Sequence, residues 1–113
     1  MARYEYLILS CAQPGREAEF EKWYDEQHIV DVLAVPGVVS ARRFHVESQE
    51  AVDVDVPTWA SMALYEIEAD DPQTVLTEIL ARARTPAMPV TDSMSRPGLV
   101  KVLATLSRAV KKD

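Results

Sequence analysis

The feature that most constrains the fold is an amphipathic helix that ends abruptly. From residue 16 to residue 34, apolar side chains recur every three or four positions, which is the spacing of one face of an α-helix. Pro36 and Gly37 then end the helix, because proline lacks a backbone donor and glycine accepts a positive φ. One side of this helix must therefore be covered by another layer of the protein. The predicted apolar face comprises Phe20, Trp23, Tyr24, His28 or Ile29, Val32 and Val35.

The rest of the chain supplies that layer as four predicted strands. Strand-like composition occurs at residues 3–11, 38–47, 59–68 and 99–106, and a second helix runs from the Asp-Asp-Pro segment at 70–72 to about residue 84. The resulting order is strand, helix, strand, strand, helix, strand. This order predicts a ferredoxin-like α+β sandwich, in which both helices cover one face of a four-stranded antiparallel sheet.

Two connections carry no clear secondary-structure pattern. Residues 48–58 mix acidic and apolar side chains, which is consistent with either a hairpin-like turn or an irregular excursion. Residues 85–97 hold three prolines, which exclude a helix or a central strand over most of that length. We expect this second connection to cover a cleft, since long loops without regular structure are often functional.

The length and net charge of the chain limit the classes of function that it can have. A chain of 113 residues with 48% apolar and 27% charged residues is typical of one domain, predicted to span residues 1–113. A core this small favours covering an exposed sheet face with a second copy, so we expect a homodimer. The net charge of -6 would repel nucleic acid, and the lack of a long apolar segment favours a cytoplasmic protein without a membrane span. Cys11 is the single cysteine and excludes an intrachain disulfide.

The helix and the segment after it resemble a known family. The helix contains Phe-x-x-Trp-Tyr-Asp-Glu-x-His from residue 20 to 28, and Val-Pro-Gly-Val then leads to Ala-Arg-Arg-Phe at residues 41–44. Together with the predicted element order, these residues are similar to the dimeric α/β-barrel superfamily, in particular its EthD-like branch. The resemblance implies that two copies pack sheet against sheet into a closed barrel, with a pocket in each subunit between its helices and its sheet.

His28 is the leading candidate for chemistry. Its imidazole titrates near neutrality and can move a proton without a cofactor, and it matches the histidine of the EthD-like helix. Tyr24 lies one turn earlier on the same face, while Asp25 and Asp31, three residues to either side, could orient the ring or raise its basicity. The alternative is a histidine that only packs between helix and sheet.

Several aromatic side chains are candidates for lining a flat pocket beside this histidine. They are Tyr6, Tyr65 and Trp59 on or near the predicted strands, together with Tyr24 of the helix. A tyrosine hydroxyl can donate a hydrogen bond to an enolate or phenolate oxygen, and we assign this role to Tyr65 or Tyr6. The alternative is that the strand aromatics belong to the core, and Trp23 of the helix is assigned to packing.

Arg42 and Arg43 are expected to point to opposite faces of the second strand. We favour Arg43 for binding a substrate carboxylate, with His45 on the same face as a second polar candidate. Because acidic residues outnumber basic ones, an interfacial salt bridge with nearby glutamates and aspartates is the competing explanation for either arginine. An exposed or interface position is the competing explanation for His45.

Several reaction classes lack their sequence signatures. His28 and His45 form no His-x-x-x-His pair and Cys11 stands alone, so no metal site is predicted. The chain has only three glycines and neither a Gly-x-Ser-x-Gly motif nor a glycine-rich phosphate loop, which disfavours serine hydrolysis and nucleotide binding. No cofactor is predicted. Either histidine could be an axial haem ligand, but no other residue supports haem degradation.

Two functions follow from these observations. In the first, the chain is a small cofactor-independent enzyme of the isomerase, cyclase, decarboxylase or monooxygenase type, acting on an aromatic, polyketide-like or lactone substrate. His28 transfers the proton and Tyr65 or Tyr6 stabilises the oxyanion. In the second, it is a non-catalytic homodimer that binds an apolar or aromatic small molecule, or a stress-related protein of the same build. The superfamily that the chain resembles includes such enzymes and also members without known activity, so the fold alone does not decide.

Overall fold

The computed structural model describes residues 1–95 and 98–113. Its strands are β1 (Ala2–Ser10), β2 (Val38–His45), β3 (Ser61–Ala69) and β4 (Val100–Ala104). Its helices are α1 (Glu17–Trp23), α2 (Ile29–Leu33) and α3 (Pro72–Arg82), and a π-helical turn, Tyr24–His28, joins α1 to α2 without a break. The predicted order of elements is confirmed. In the described part of the chain, no helix has the length and apolar character needed to cross a membrane.

All four strands form one antiparallel sheet in the order β2-β3-β1-β4. The central strands β1 and β3 are paired so that Tyr6 lies opposite Tyr65. At the edge beside β1, β4 places Lys101 opposite Ile8 and Leu103 opposite Tyr6. This strand order, with both helical layers on one side, is that of the ferredoxin-like α+β fold, so the predicted fold class is confirmed.

One face of the sheet is buried under the helices. Along β3 the side chains alternate between buried and half-buried, because successive residues of a strand point to opposite faces. Tyr65 and Ile67 are fully buried, and they form one apolar core with Phe20, Tyr24 and Val32 of the helical run. The core therefore lies between the sheet and the helices, as the amphipathic pattern predicts.

The other face of the sheet points away from the helices and is rich in apolar side chains. Leu7 and Leu64 on the central strands are half-buried there, while Phe44, Val100 and Val102 nearer the edges are exposed. The register places these side chains next to one another, so they form one apolar surface. This surface is called the open sheet face below. Its members are Leu7, Leu9, Phe44, Met62, Leu64, Val100 and Val102.

The two long connections pack differently. The 48–58 connection contains no helix or strand and is exposed throughout, which corresponds to the irregular alternative. The 85–97 loop is tied to the start of the helical layer, since Gln13 N donates a hydrogen bond to Ser93 O at 2.7 Å. The last two residues of that predicted loop, 96–97, lie outside the described residues.

Gly37 closes the turn after the helical run at φ +98°, and a Cβ there would lie 2.6 Å from Val75 Cγ2. Replacing Gly37 with alanine should lower the free energy of unfolding by about 2–4 kcal/mol, because a strained backbone and a clash with α3 act together. Urea denaturation measures the change. Gly15→Ala is the matched control, since Gly15 has φ +84° but its Cβ would meet nothing within 4 Å. Equal losses in the two variants would contradict the predicted clash with Val75.

Candidate functional site

A single π-helical turn sets the geometry of the site. At Tyr24–His28 the backbone follows a π pattern, in which Ile29 N donates to Tyr24 O five residues earlier. In a regular α-helix, Trp23 and His28 would lie on different faces, because five residues rotate the chain by about 140° beyond a full turn. The wider π turn instead brings them onto one face, and their rings stack with centroids 4.5 Å apart. Turns of this type occur frequently at functional sites.

His28 is surrounded by the aromatic rings of its own helical run. The indole of Trp23 is nearly parallel to the imidazole, at an interplanar angle of 21°. Tyr24 contacts the imidazole edge-on, with centroids 5.3 Å apart and planes at 80°. The indole Nε1 of Trp23 donates to Pro89 O at 3.1 Å, which ties the cluster to the 85–97 loop. Trp23 therefore does more than fill the core, because it also fixes the position of His28.

Arg43 of β2 holds the helical run against the sheet at this point. Its side chain is only 8% exposed and pairs with Glu21 at 2.6 Å and Asp25 at 2.8 Å. A second guanidinium nitrogen donates to Ser61 Oγ of β3 at 2.6 Å. Its Cζ lies 4.2 Å from the centre of the Tyr24 ring, within cation–π range. The structure thus places a salt bridge at Arg43, formed within one chain.

A cavity of about 450 Å³ opens beside His28, between the sheet and the helical layer. Its volume lies in the range of small-molecule sites, and its wall is mostly apolar. The π turn contributes Tyr24 and His28, β1 contributes Tyr6, and β3 contributes Tyr65. The 85–97 loop supplies part of the wall. The other lining residues are Ile8, Trp23, Val32, Ile79, Leu80, Ala83, Arg84, Met88, Val90, Thr91, Met94, Leu99 and Lys101.

The tyrosine hydroxyls at the cavity are kept protonated by burial. Desolvation raises the pKa of Tyr6, Tyr24 and Tyr65 above the ordinary value, so that each hydroxyl is a neutral donor at physiological pH. Tyr65 Oη is buried and makes no well-formed hydrogen bond within the described residues, and the nearby Tyr24 hydroxyl raises its pKa further. Tyr65 therefore presents a neutral hydroxyl, which interacts with the hydroxyl of Tyr24.

His28 is neutral in this setting. Burial lowers its pKa from 6.5 to about 4, an effect that Asp31 opposes and that the positive charge of Lys101 reinforces. Its Nδ1 is buried and has no hydrogen-bond partner in the described part of the chain. Nε2 is therefore the nitrogen left for a molecule in the cavity.

The two carboxylates that flank His28 in sequence are engaged elsewhere. Asp25 pairs with Arg43, and Asp31 accepts a hydrogen bond from Gln27 at 2.7 Å. The charge of Asp31 does favour the protonated ring, but burial outweighs it. The carboxylates therefore do not raise the basicity of His28 above its ordinary value.

The cavity brings together four of the six predicted site residues, namely Tyr6, Tyr24, His28 and Tyr65. Arg43 is absent from the described wall of the cavity, because its guanidinium is bound to acidic side chains. Trp59 borders a second concavity, of about 710 Å³, next to the open sheet face. His45 is 74% exposed, with Nδ1 3.9 Å from a Glu21 oxygen, in agreement with the exposed alternative.

Met88, Arg84 and Lys101 are among the lining residues that the sequence did not single out. Met88 is fully buried, but it lies in a proline-rich loop where no periodic pattern marks a buried position. Arg84 follows α3 at a place where the helical pattern has ended. Lys101 could have been found, since strand alternation puts it on the same face as Leu103.

The neutral, buried His28 should make the fold sensitive to acid between pH 6.5 and about 4. In this interval the unfolded chain binds a proton on His28 and the folded chain does not. The free energy of unfolding therefore falls as the pH falls, by up to about 3 kcal/mol. His28→Phe keeps a ring against Trp23 but cannot titrate, so its stability should fall less. Urea denaturation at several pH values gives both curves, and parallel curves would contradict the lowered pKa.

Comparison with known proteins adds evidence on the fold. No protein-family model and no curated protein matches the sequence. Among solved structures, the chain is similar to a candidate monooxygenase from Shewanella loihica PV-4, with a TM-score of 0.62 at 12% identity over 96% of this chain and 97% of that one. It is also similar to an ethyl tert-butyl ether D (EthD) family protein from Bacillus halodurans C-125, with a TM-score of 0.59 at 12% identity over 92% and 98% of the two chains.

These similarities extend over nearly the whole chain, so they concern the complete arrangement of strands and helices and not a local motif. At 12% identity they establish the fold but not the reaction, which has to be inferred from the residues of the site. At the level of fold, the resemblance to the EthD-like branch that the sequence predicts is confirmed.

Proposed function

We propose that the protein is a cytoplasmic, homodimeric, cofactor-independent enzyme that transfers a proton through His28. The proposed substrate is an aromatic, polyketide-like or lactone compound. Isomerisation, cyclisation, decarboxylation and cofactor-free monooxygenation all share such a proton transfer. The observation that carries the proposal is the convergence of His28 and three tyrosines on one apolar cavity.

His28 is suited to accept a proton from an acidic carbon or a phenol. The ring is neutral near physiological pH because burial holds its pKa at about 4. Its contacts with Trp23 and Tyr24 restrict the ring to one orientation, which reduces the entropic cost of reaching the reactive geometry. A base with so low a pKa is weak, so the substrate must be made more acidic by hydrogen-bond donors.

Tyr65 and Tyr6 are the proposed donors. When Nε2 of His28 takes a proton from a carbon next to a carbonyl, the electron pair moves to the carbonyl oxygen. A neutral tyrosine hydroxyl stabilises this oxyanion, and it does so more strongly in a dry cavity than in water. The neutral, buried hydroxyl of Tyr65 and the position of Tyr6 on the adjacent strand support this assignment. The proton can then return from His28 to a second atom of the substrate.

Arg43 and Trp59, which the sequence analysis assigned to substrate binding, have other roles in this proposal. Arg43 positions Tyr24 by lying against its ring, so it acts on the cavity from outside the wall. Trp59 borders the concavity that also includes Leu9 and Met62 of the open sheet face. We assign Trp59 to the contact with a second copy of the chain.

A non-catalytic binding protein is the second candidate. The lowered pKa of His28 and the lack of a partner for its Nδ1 among the described residues also fit a histidine that is packed among aromatic rings. The cavity would then hold the same class of ligand without any proton transfer. The two candidates differ in turnover and not in binding.

The homodimer is proposed from the open sheet face. Its leucine, methionine, valine and phenylalanine side chains would be removed from water by a second sheet, which is a favourable process. The sheet-to-sheet packing implied by the resemblance of the sequence uses this same face. A two-fold symmetric pair would cover the face on both copies at once.

Replacing His28 with glutamine should lower turnover by about 10²–10⁴-fold, because the side chain remains polar but can no longer accept the proton. The measurement is product formation from a panel of phenolic, quinone and lactone compounds that first shows activity with the native protein. His45→Gln is the matched control, since His45 is exposed and lies outside the cavity wall.

An active His28→Gln variant would contradict the catalytic assignment. Binding of panel compounds to the native protein without any turnover would favour the second candidate. Circular dichroism of both variants separates a loss of chemistry from a loss of folding.

The native protein should sediment as a dimer, and Leu64→Glu should convert it to a monomer, because a carboxylate would be buried at the centre of the paired sheets. Sedimentation velocity at micromolar concentration measures both forms. The matched control is Val30→Glu, which places the same charge on α2 at a position that is 57% exposed. A native monomer at these concentrations would rule out the proposed homodimer.

A further inference from the structure

Two cations line the cavity, and no carboxylate does so among the described residues. The cations are Arg84, which follows α3, and Lys101 of β4. Over the whole chain, acidic residues outnumber basic ones by 18 to 12, and the net charge is -6. The charge of the cavity is therefore opposite in sign to that of the chain as a whole.

Neither cation is paired with a carboxylate of the described residues. Across residues 1–95 and 98–113, Arg84 and Lys101 take part in no ion pair, and they share this with several other exposed cations such as Arg42 and Lys22. What sets them apart is their place at the cavity. Both residues are exposed, so water solvates their charges, and both remain available to an anion in the cavity.

The register of the sheet places Lys101 at the cavity. Lys101 lies opposite Ile8, two residues before Leu103, and so points to the same face of the sheet as Tyr6 and Ile8. It is close enough to His28 to lower the pKa of the imidazole. An inward-pointing lysine on an edge strand also discourages pairing with another chain, which is the structural alternative for this residue.

Arg84 provides an independent observation. Its φ of +68° lies in the left-handed region that glycine adopts most easily. Its backbone N–H donates to Met88 O at 3.0 Å and so fixes the turn that begins the 85–97 loop. That turn would form at lower conformational cost with glycine, so the backbone does not explain the arginine. Arg84 is exposed and borders the cavity, so a positive charge is present there.

We propose that the cavity selects anionic ligands, in which an aromatic body carries a carboxylate that contacts Arg84 and Lys101. The body would lie against Trp23, Tyr24 and Tyr6, the aromatic part of the wall. This inference rests on the proposed function, because it narrows the substrate class of the same cavity. A bound carboxylate would offset the charge of Lys101, which allows the pKa of His28 to rise and makes it a stronger base.

The test compares 1-naphthoate with 1-naphthamide, which share an aromatic body and differ in charge. Isothermal titration calorimetry on the native protein gives both affinities. We expect naphthoate to bind at least about tenfold more tightly than naphthamide, and we expect this preference to shrink as salt is added.

The variant that tests the two cations is Lys101→Met with Arg84→Gly. Glycine suits the left-handed backbone at position 84, so this variant should fold, and thermal denaturation verifies it. We expect its naphthoate affinity to fall by about tenfold and its naphthamide affinity to stay within about twofold. The control is Lys111→Met with Lys112→Met, which removes two positive charges from the exposed C-terminal tail. Arg84→Gln with Lys101→Met is a second variant that keeps a long polar side chain.

Equal affinities of the native protein for the two probes would overturn the inference, as would a lack of naphthoate binding at millimolar concentration. The same loss of naphthoate affinity in the tail control would also overturn it, because net charge alone would then be responsible. If the preference for naphthoate is present but His28→Gln retains turnover, the proposed function fails while the anionic selectivity stands.

Discussion

The π turn at Tyr24–His28 is the constraint on which the site depends. It places Trp23 and His28 on one face of the helix while Phe20 and Val32, on either side of it, stay buried against the sheet. In an uninterrupted α-helix, the positions that face the sheet would not leave Trp23 and His28 side by side. The π turn adds one residue to the turn and so changes the direction in which the following side chains point. Arg43 of β2 stabilises the turn through its ion pair with Asp25 and its contact with the Tyr24 ring.

Arg43 and its acidic partners form a polar cluster next to the apolar cavity. Its guanidinium is nearly enclosed, and an enclosed charge is stable only when it is paired and hydrogen-bonded. Glu21, Asp25 and Ser61 supply those partners. Because Glu21 and Asp25 are paired with Arg43, they do not raise the pKa of the imidazole. What remains at the cavity is a neutral imidazole, neutral tyrosine hydroxyls and two cations without acidic partners in the described chain.

The order of strands and helices could be predicted because it depends on local periodicity and on Pro36-Gly37, which stop the helix where the next strand must begin. The same periodicity identified Tyr6 and Tyr65, since strand alternation puts both on the buried face. It also placed Trp23 on the apolar face of the helical run, and Trp23 packs against the core. It could not identify the acidic partners of Arg43, because Glu21 and Asp25 come from a different element.

The sequence by itself determined the ferredoxin-like layout and the buried face of each element, because both follow from the repeat of apolar residues along the chain. It also determined that His28 would stand among aromatic rings. Only the tertiary structure decided that these rings border a cavity and that Lys101 and Arg84 reach it from distant segments. It also made His28 a neutral group, since the free energy of burying a charge depends on everything packed around it.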